Sequence, residues 1–256
     1  MAKQRRKEIE QAKLRAERKA ELQRKKAILS EEPSMERVYT STPMMKRILV
    51  VAEGENTEYS YFSKFRIPGV LVVPVGVGVG TMSLVKEVER IRAKNIRKYH
   101  CDFDETWVIF DKDEYPDFVE AIKYAENCGY KVAYSNQAFE YWLLLHFNNH
   151  QGQPMDRSHY IETINRHLSQ IKPSVKIDSN SKIIEEKVFE LLNAINPASG
   201  RSRLQEAFDR ASAIYEAKLL ANVPFEESVT TVHLLLKSIV NLKTTKEQRK
   251  TVAGKS

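Results

Sequence analysis

The chain has 256 residues, of which 42% are hydrophobic, with nine Gly and nine Pro. This composition excludes a collagen-like or wholly disordered chain, and it can form the core of one domain or of one domain with a substantial elaboration. The net charge of +7 resides in residues 1–30, which hold eleven Lys and Arg against four Glu, whereas residues 31–256 hold 30 of each sign. The pI near 9.2 therefore describes a basic arm on a neutral body.

The apolar stretches of the chain are short. The longest, such as 48–52 and 71–75, are far below the roughly 18 residues that a membrane span requires, so we expect no transmembrane helix. The basic N-terminus is not followed by an apolar stretch, which argues against secretion. Cys101 and Cys128 match neither a C-x-x-C pair nor a zinc spacing, and a reduced, cytoplasmic setting suits them best.

The first 43 residues predict a basic helical arm followed by a linker. Residues 3–28 are mainly strong helix formers, but their apolar positions are too sparse for a buried face. Residues 32–43 contain two prolines and several hydroxyl side chains, which favour turns. We expect the folded part to begin near Met44.

From there to residue 150, short apolar runs alternate with helical patterns. The runs predict strands at 46–53, 70–75, 106–110 and 130–135, and the helical patterns fall at 57–65, 83–98, 116–128 and 138–147. Asn56 is a candidate N-cap of the first helix. Pro74 gives no ladder hydrogen bond, which places it near a sheet edge or at a strand end. Gly129 suits the end of the third helix. This order predicts an α/β domain with a mainly parallel sheet and right-handed crossovers.

After residue 150 the strand patterns stop. Helical patterns follow at 158–170, 181–196, 200–221 and 227–242. The expected organisation is a basic arm and linker over 1–43, an α/β domain over 44–150, a helical elaboration over 151–245 and a disordered tail over 246–256.

Carboxylates follow the first and third predicted strands. Glu53 ends the first, Asp111 and Asp113 follow the third, and Glu58 and Glu114 lie nearby. If these strands are parallel neighbours, the acids share one edge of the sheet, where they repel unless a cation neutralises them. Oxygen ligands favour Mg²⁺ or Mn²⁺, which are suited to phosphate chemistry. Helix caps or solvated turn residues are the alternative interpretation.

Three segments together resemble the RloB family, TOPRIM-like proteins of bacterial restriction and phage-defence loci. They read Glu-Gly-x-x-Thr-Glu-x-x-Tyr-Phe at 53–62, Asp-x-Asp at 111–113 and Ser-Asn-x-x-Phe-Glu-x-Trp-Leu-Leu-x-His-Phe at 135–147. The third is the most specific, although Gln137 stands where the motif usually has Pro. The resemblance covers about 45–240, with a weaker match at 228–235.

The resemblance implies a TOPRIM fold in which Glu53 is the general acid/base and Asp111 and Asp113 bind Mg²⁺. In nucleases related by this fold, a further downstream acid helps to hold a second ion. Glu140 is our candidate because it opens a helix directly after the fourth strand, and Glu58 is another. The alternative for Glu140 is a simple interaction with the helix dipole.

Several other residues are weaker candidates. His146 could position a phosphate or a metal-bound water, or could be a structural histidine. The glycine-rich segment 76–80 predicts a flexible loop near the substrate or a plain turn, and it lacks the lysine of a P-loop, so ATP hydrolysis is not supported. Glu114 could support the site. The candidate nucleic-acid contacts are Lys112 in the body and Lys3, Arg5, Arg6 and Lys7 in the arm.

The resulting hypothesis is a metal-dependent nuclease that cleaves phosphodiester bonds of DNA or RNA, with tRNA among the candidates. The resemblance implies a role in bacterial antiviral defence under the control of a partner ATPase. The alternative is a non-catalytic regulatory or binding subunit of an ATPase complex. The sequence identifies neither the substrate nor the oligomeric state, and a homo-oligomer is one alternative.

Overall fold

The computed structural model describes residues 45–112, 117–151 and 155–240. Its main sheet has four strands, β1 (Lys46–Ala52), β2 (Val70–Gly76), β3 (Glu105–Lys112) and β4 (Lys131–Asn136). The helices that alternate with them are α1 (Thr57–Phe62), α2 (Thr81–Tyr99), α3 (Phe118–Asn127) and α4 (Glu140–Leu144). The predicted arm and C-terminal tail lie outside the described residues, and the proposed domain boundaries stay predictions.

The four strands are all parallel and lie in the order β2-β1-β3-β4. The α/β prediction, with a mainly parallel TOPRIM-like sheet flanked by helices, is thereby confirmed. Pro74 lies opposite Val50 on the edge strand β2, where a missing N–H is tolerated. Ala52 of β1 pairs with Ile109 of β3, so the two strands that lead into carboxylates are neighbours, as their common edge requires.

The sequence explains why these segments form the sheet. Residues 48–51 of β1 are fully buried, as expected for an apolar central strand that is covered on both faces. Leu84 and Val88 of α2 are also fully buried, in keeping with their predicted helical spacing. Gly129 has φ +79° after α3, a backbone conformation that favours glycine at a helix end.

The last third of the described chain is mainly helical, as predicted. Its helices are α5 (Ser158–Ile171), α6 (Glu186–Asn193), α7 (Arg203–Leu220) and α8 (Val232–Val240), and a two-residue antiparallel pair joins β5 (Ile195–Asn196) to β6 (Arg201–Ser202). The expectation that strand structure stops after residue 150 is therefore wrong in detail. The segment before α8 also lies beside β4, because the Asn136 N–H donates to the Val229 carbonyl at 2.9 Å.

Two local predictions at helix ends need correction. Asn56 makes no side-chain capping hydrogen bond to α1, so the predicted cap is wrong. The helix predicted over 138–147 is shorter, because α4 ends at Leu144 and the chain continues in turns. Trp142 is nevertheless completely buried and donates to the Tyr61 hydroxyl at 3.1 Å, which fixes α4 against α1.

No helix in the described ranges is long and apolar enough to span a membrane.

Candidate functional site

Four carboxylates meet at the edge of the sheet where the parallel strands end. Glu53 directly follows β1, and its N–H donates to the Ile109 carbonyl of β3 at 2.9 Å. Asp111 lies near the end of β3, Glu58 lies in the first turn of α1, and Glu140 is the first residue of α4 after β4. The crossover topology brings all four chain segments to one edge. Their side chains are called the acidic cluster below.

Two of the four carboxylates in the acidic cluster are buried, and Glu53 and Asp111 are partly exposed. Glu58 is 4% exposed and Glu140 is 3% exposed. Burial, the Glu140 charge and, more weakly, the Glu53 charge raise the pKa of Glu58 to about 7, although hydrogen bonds from the backbone of Glu58 and Gly54 favour its ionised form. Burial has the largest effect on the pKa of Glu58, because the carboxylate loses hydration that these backbone amides only partly replace.

Asp111 shows that the carboxylates act on one another. Burial raises the pKa of Asp111 well above its ordinary value, the charges of Glu58 and Glu140 raise it further, and Arg157 opposes the effect. The Asp111 Oδ1 atom is buried and has no hydrogen-bond partner among the described residues. A buried acceptor without a donor is costly, and it is a position where a cation would be stabilised.

Two cations from the helical elaboration face the acidic cluster. The Lys182 Nζ atom lies 3.0 Å from Glu140 Oε1, and Arg157 Nη2 lies 3.9 Å from Asp111 Oδ2. The Thr57 hydroxyl also donates to Glu140 Oε1, at 3.4 Å. Sequence reasoning missed these three side chains, because single basic or hydroxyl residues far along the chain carry no pattern that points to the sheet edge.

The donor chemistry of the acidic cluster fits a hard divalent cation. Carboxylate oxygens are typical ligands of Mg²⁺ and Mn²⁺, and Asp111 Oδ1, which has no hydrogen-bond partner among the described residues, is one oxygen available to such an ion. Asp113, the second acid of the Asp-x-Asp pair, lies outside the described residues. Within residues 45–112, 117–151 and 155–240, no three His, Cys, Asp or Glu side chains are arranged to hold a metal ion.

The family model of RloB-like proteins matches residues 48–239. The chain belongs to the RloB-like family. The match contains the whole acidic cluster as well as Arg157 and Lys182. No curated protein and no solved structure matches the chain.

One residue of the RloB-like motif at 135–147 has its own backbone conformation. Gln137, which stands in place of the usual Pro, has φ +61° and donates its N–H to the Lys112 carbonyl at 3.1 Å. Proline can adopt neither this φ nor this hydrogen bond. The turn that leads to Glu140 in this RloB-like protein is therefore specific to a non-proline residue.

The glycine-rich segment 76–80 packs beside the acidic cluster. A Cβ atom at Gly76 would lie 2.7 Å from the Glu55 Cα, and Gly78 has φ +69°. The Gly78 N–H donates to the Glu53 carbonyl at 2.9 Å. The glycines thus permit a close backbone approach to the loop that carries Glu53, and a role toward the substrate stays a prediction.

The structure gives His146 and Lys112 structural contacts. His146 is completely buried, its Nδ1 atom lies 3.1 Å from the Trp142 carbonyl, and burial lowers its pKa to about 3. This favours the structural interpretation of His146. The Lys112 ammonium donates to the carbonyl of Phe225, which ties β3 to the segment that precedes α8 and gives this candidate nucleic-acid contact a local partner.

The remaining predicted residues lie outside the described ranges. They are Asp113 and Glu114 after β3 and Lys3, Arg5, Arg6 and Lys7 in the arm. Their roles in metal, site support and nucleic-acid binding stay predictions.

Proposed function

We propose that this RloB-like protein is a metal-dependent nuclease that cleaves phosphodiester bonds of DNA or RNA. The observation that carries the proposal is the acidic cluster: Glu53, Glu58, Asp111 and Glu140 converge on one sheet edge, and their charges raise the pKa of Glu58 and Asp111. A structural role alone gives little reason to gather four mutually repelling carboxylates at one edge and to bury two of them, Glu58 and Glu140, because a buried charge loses solvation. Perturbed carboxylates gathered at a strand edge are typical of functional sites.

The described residues can divide the work of hydrolysis. A divalent cation, when bound, polarises a phosphoryl oxygen and lowers the pKa of a coordinated water. Asp111 would hold it together with Asp113, which lies outside the described residues, and Glu58 or Glu140 would help to hold a second ion. Glu53 would activate the attacking water or protonate the leaving oxygen. The segment 76–80 packs on the backbone of Glu53 and keeps that residue at the end of β1.

The biological setting belongs to the same proposal. The RloB-like resemblance implies bacterial antiviral defence and control by an ATPase. We extend the proposal to this setting on the resemblance alone. The substrate class is left to experiment, since DNA, tRNA and other RNA present the same phosphodiester.

A second function is favoured by one specific observation. Lys182 and Arg157 already place positive charge beside Glu140 and Asp111, so the acidic cluster is partly compensated by the chain itself. A non-catalytic subunit of an ATPase complex would keep such a compensated cluster for structure. Among the described residues Asp111 Oδ1 has no hydrogen-bond partner, and this argues for the enzyme, because a purely structural site should satisfy a buried acceptor.

The test is a cleavage assay on purified full-length protein. Single- and double-stranded DNA, total RNA and tRNA are incubated with Mg²⁺, Mn²⁺ or EDTA. Asp111→Asn removes one charge and keeps the side-chain shape, whereas Glu162→Gln makes the same kind of change at an exposed position of α5. The proposal predicts ion-dependent cleavage that Asp111→Asn abolishes and Glu162→Gln preserves.

If the protein is inactive alone, the assay is repeated with the ATPase partner that the resemblance implies. Cleavage that then depends on Asp111 supports a controlled nuclease. Loss of activity under every condition, or equal activity in Asp111→Asn and the unaltered protein, would contradict the enzymatic proposal and favour the binding subunit.

A further inference from the structure

Lys182 is held against the acidic cluster by a short, well-anchored loop. Its Nζ atom lies 3.0 Å from Glu140 Oε1, and the Lys182 side chain is 34% exposed while that of Glu140 is 4% exposed. A solvent-accessible ammonium thus reaches a nearly inaccessible carboxylate. The contact links the helical elaboration to the start of α4, across 42 residues of sequence.

The loop presents Lys182 through hydrogen bonds of its own. The Asp178 side chain accepts from the N–H of Ser181 at 2.7 Å, and the Lys182 N–H donates to the Asp178 carbonyl at 2.8 Å. Lys182 itself has φ +53°, an uncommon conformation for a residue with a side chain. The turn therefore directs one particular residue toward Glu140.

Both ends of the loop are fixed to other elements. Ile177 exchanges two hydrogen bonds with the Asn165 side chain of α5, at 2.7 and 2.8 Å. Ile184 is completely buried and donates its N–H to the Ser60 hydroxyl of α1 at 2.9 Å. With the backbone anchored on both sides, the freedom that remains near Glu140 lies chiefly in the Lys182 side chain.

The position of the ammonium has a consequence for metal binding. A cation within 3.0 Å of Glu140 Oε1 occupies that oxygen and repels a second cation on the same carboxylate. A lysine side chain has four rotatable bonds and a partly exposed path, so it can leave without moving the anchored backbone.

We propose that Lys182 is a built-in counter-ion that occupies Glu140 in the metal-free protein and leaves it when a divalent cation binds. This inference rests on the proposed metal-dependent function and adds a residue that tunes its ion affinity. Before the ion arrives, the ammonium supplies the opposite charge beside the buried Glu140 side chain.

The first experiment measures Mn²⁺ affinity on the full chain by electron paramagnetic resonance of the free ion. Lys182→Met removes the competing charge and should tighten Mn²⁺ binding about two- to fivefold, the range expected for loss of one partly exposed ion pair. Lys182→Arg keeps the charge and should bind like the unaltered protein. Lys172→Met removes an exposed lysine ten residues earlier and should have no effect.

A double variant shows whether the effect passes through Glu140. In a Glu140→Gln background, Lys182→Met should no longer tighten Mn²⁺ binding, because the carboxylate for which the two cations compete is absent. An undiminished gain would overturn the assignment of Glu140 as the shared partner.

A second measurement needs no variant at the site and holds even if Lys182→Met folds poorly. The unaltered protein is acetylated by a brief pulse of an amine-reactive reagent with and without Mn²⁺, and modified lysines are quantified by mass spectrometry. Release from Glu140 predicts several-fold faster modification of Lys182 with Mn²⁺ and no change at Lys172.

The outcomes separate this inference from the proposed function. If the protein binds Mn²⁺ but Lys182→Met does not bind it more tightly, or Lys182 reactivity is unchanged by the ion, the counter-ion role is wrong and the nuclease proposal stands. If neither the unaltered protein nor any variant binds Mn²⁺, both are overturned.

Discussion

The raised pKa of Glu58 in the acidic cluster should make the free energy of unfolding depend on pH. Its side chain is 4% exposed, and burial, Glu140 and Glu53 raise its pKa from 4.5 to about 7. The folded protein therefore holds this proton more tightly than the unfolded chain. The stability that protonation contributes is fully present below pH 4.5 and is lost as the pH rises through about 7.

The pKa difference sets the size of the effect. A change from 4.5 to about 7 corresponds to about 3 kcal/mol over the whole range, of which about 2 to 3 kcal/mol falls between pH 5 and pH 8. Glu58→Gln has no proton to lose and keeps a similar shape. Its free energy of unfolding relative to the unaltered protein should rise by that amount from pH 5 to pH 8.

The difference between the two proteins removes the contribution of the histidines and leaves that of Glu58 with the carboxylates coupled to it. Burial lowers the pKa of His146 to about 3 and that of His233 to about 4, so these histidines contribute stability that grows as the pH rises toward 6.5. Their effect opposes that of Glu58 in the overall stability curve and cancels in the comparison with Glu58→Gln.

The assay is urea unfolding at pH 5, 6, 7 and 8 in EDTA, with linear extrapolation to water. A stability difference between Glu58→Gln and the unaltered protein that does not change with pH would refute the reasoning, because it would mean that Glu58 ionises in the folded state as it does in the unfolded chain.

Further predictions concern single positions around the site and in the core. Gly54→Ala should weaken Mn²⁺ binding in a titration, because the added Cβ would overlap the Glu58 carboxylate, whereas Gly80→Ala, with nothing within 4 Å of its added Cβ, should not. Thr81→Val should leave the free energy of unfolding unchanged or raise it by up to about 1 kcal/mol in urea unfolding, since the Thr81 hydroxyl is buried without a hydrogen-bond partner among the described residues. A decrease of more than about 1 kcal/mol would contradict this, because it would mean that the hydroxyl has a partner. Leu144→Ala should cost about 2 to 5 kcal/mol in the same assay, because Leu144 is completely buried in the core, and a cost near zero would contradict its packing.

The sheet and the meeting of its acids could be predicted because they depend on strong local patterns. Apolar strands that alternate with amphipathic helices favour parallel pairing, and parallel pairing carries Glu53 and Asp111 to one edge. Pro74 added information of its own, since a residue without an N–H belongs at an edge. These inferences needed no knowledge of which side chains touch.

Lys182 and Arg157 could not be predicted in the same way. Each reaches the acidic cluster through the packing of a loop or helix end far along the chain, and the hydrogen bonds that fix the Lys182 loop join Ile184 to Ser60 and Ile177 to Asn165. Such contacts depend on tertiary geometry rather than on spacing.

Short structures also escaped the sequence patterns. The two-residue strands β5 and β6 are too brief to show alternation. The segment that precedes α8 joins β4 through the Ser135–Thr230 bridge, although its sequence reads as the start of a helix. The Asn56 cap failed because a residue type that favours caps does not ensure the hydrogen bond.

The central claim is that the acidic cluster performs ion-dependent phosphodiester cleavage. Its most direct measurement is the initial rate at which one preparation of full-length protein, with the proposed ATPase partner where required, cleaves labelled nucleic acid in EDTA and after Mn²⁺ is added. Glu53→Gln is measured in parallel. We predict no cleavage in EDTA, cleavage in Mn²⁺, and a rate at least about 100-fold lower for Glu53→Gln. Cleavage that proceeds equally in EDTA, or that Glu53→Gln leaves unchanged, would contradict the claim.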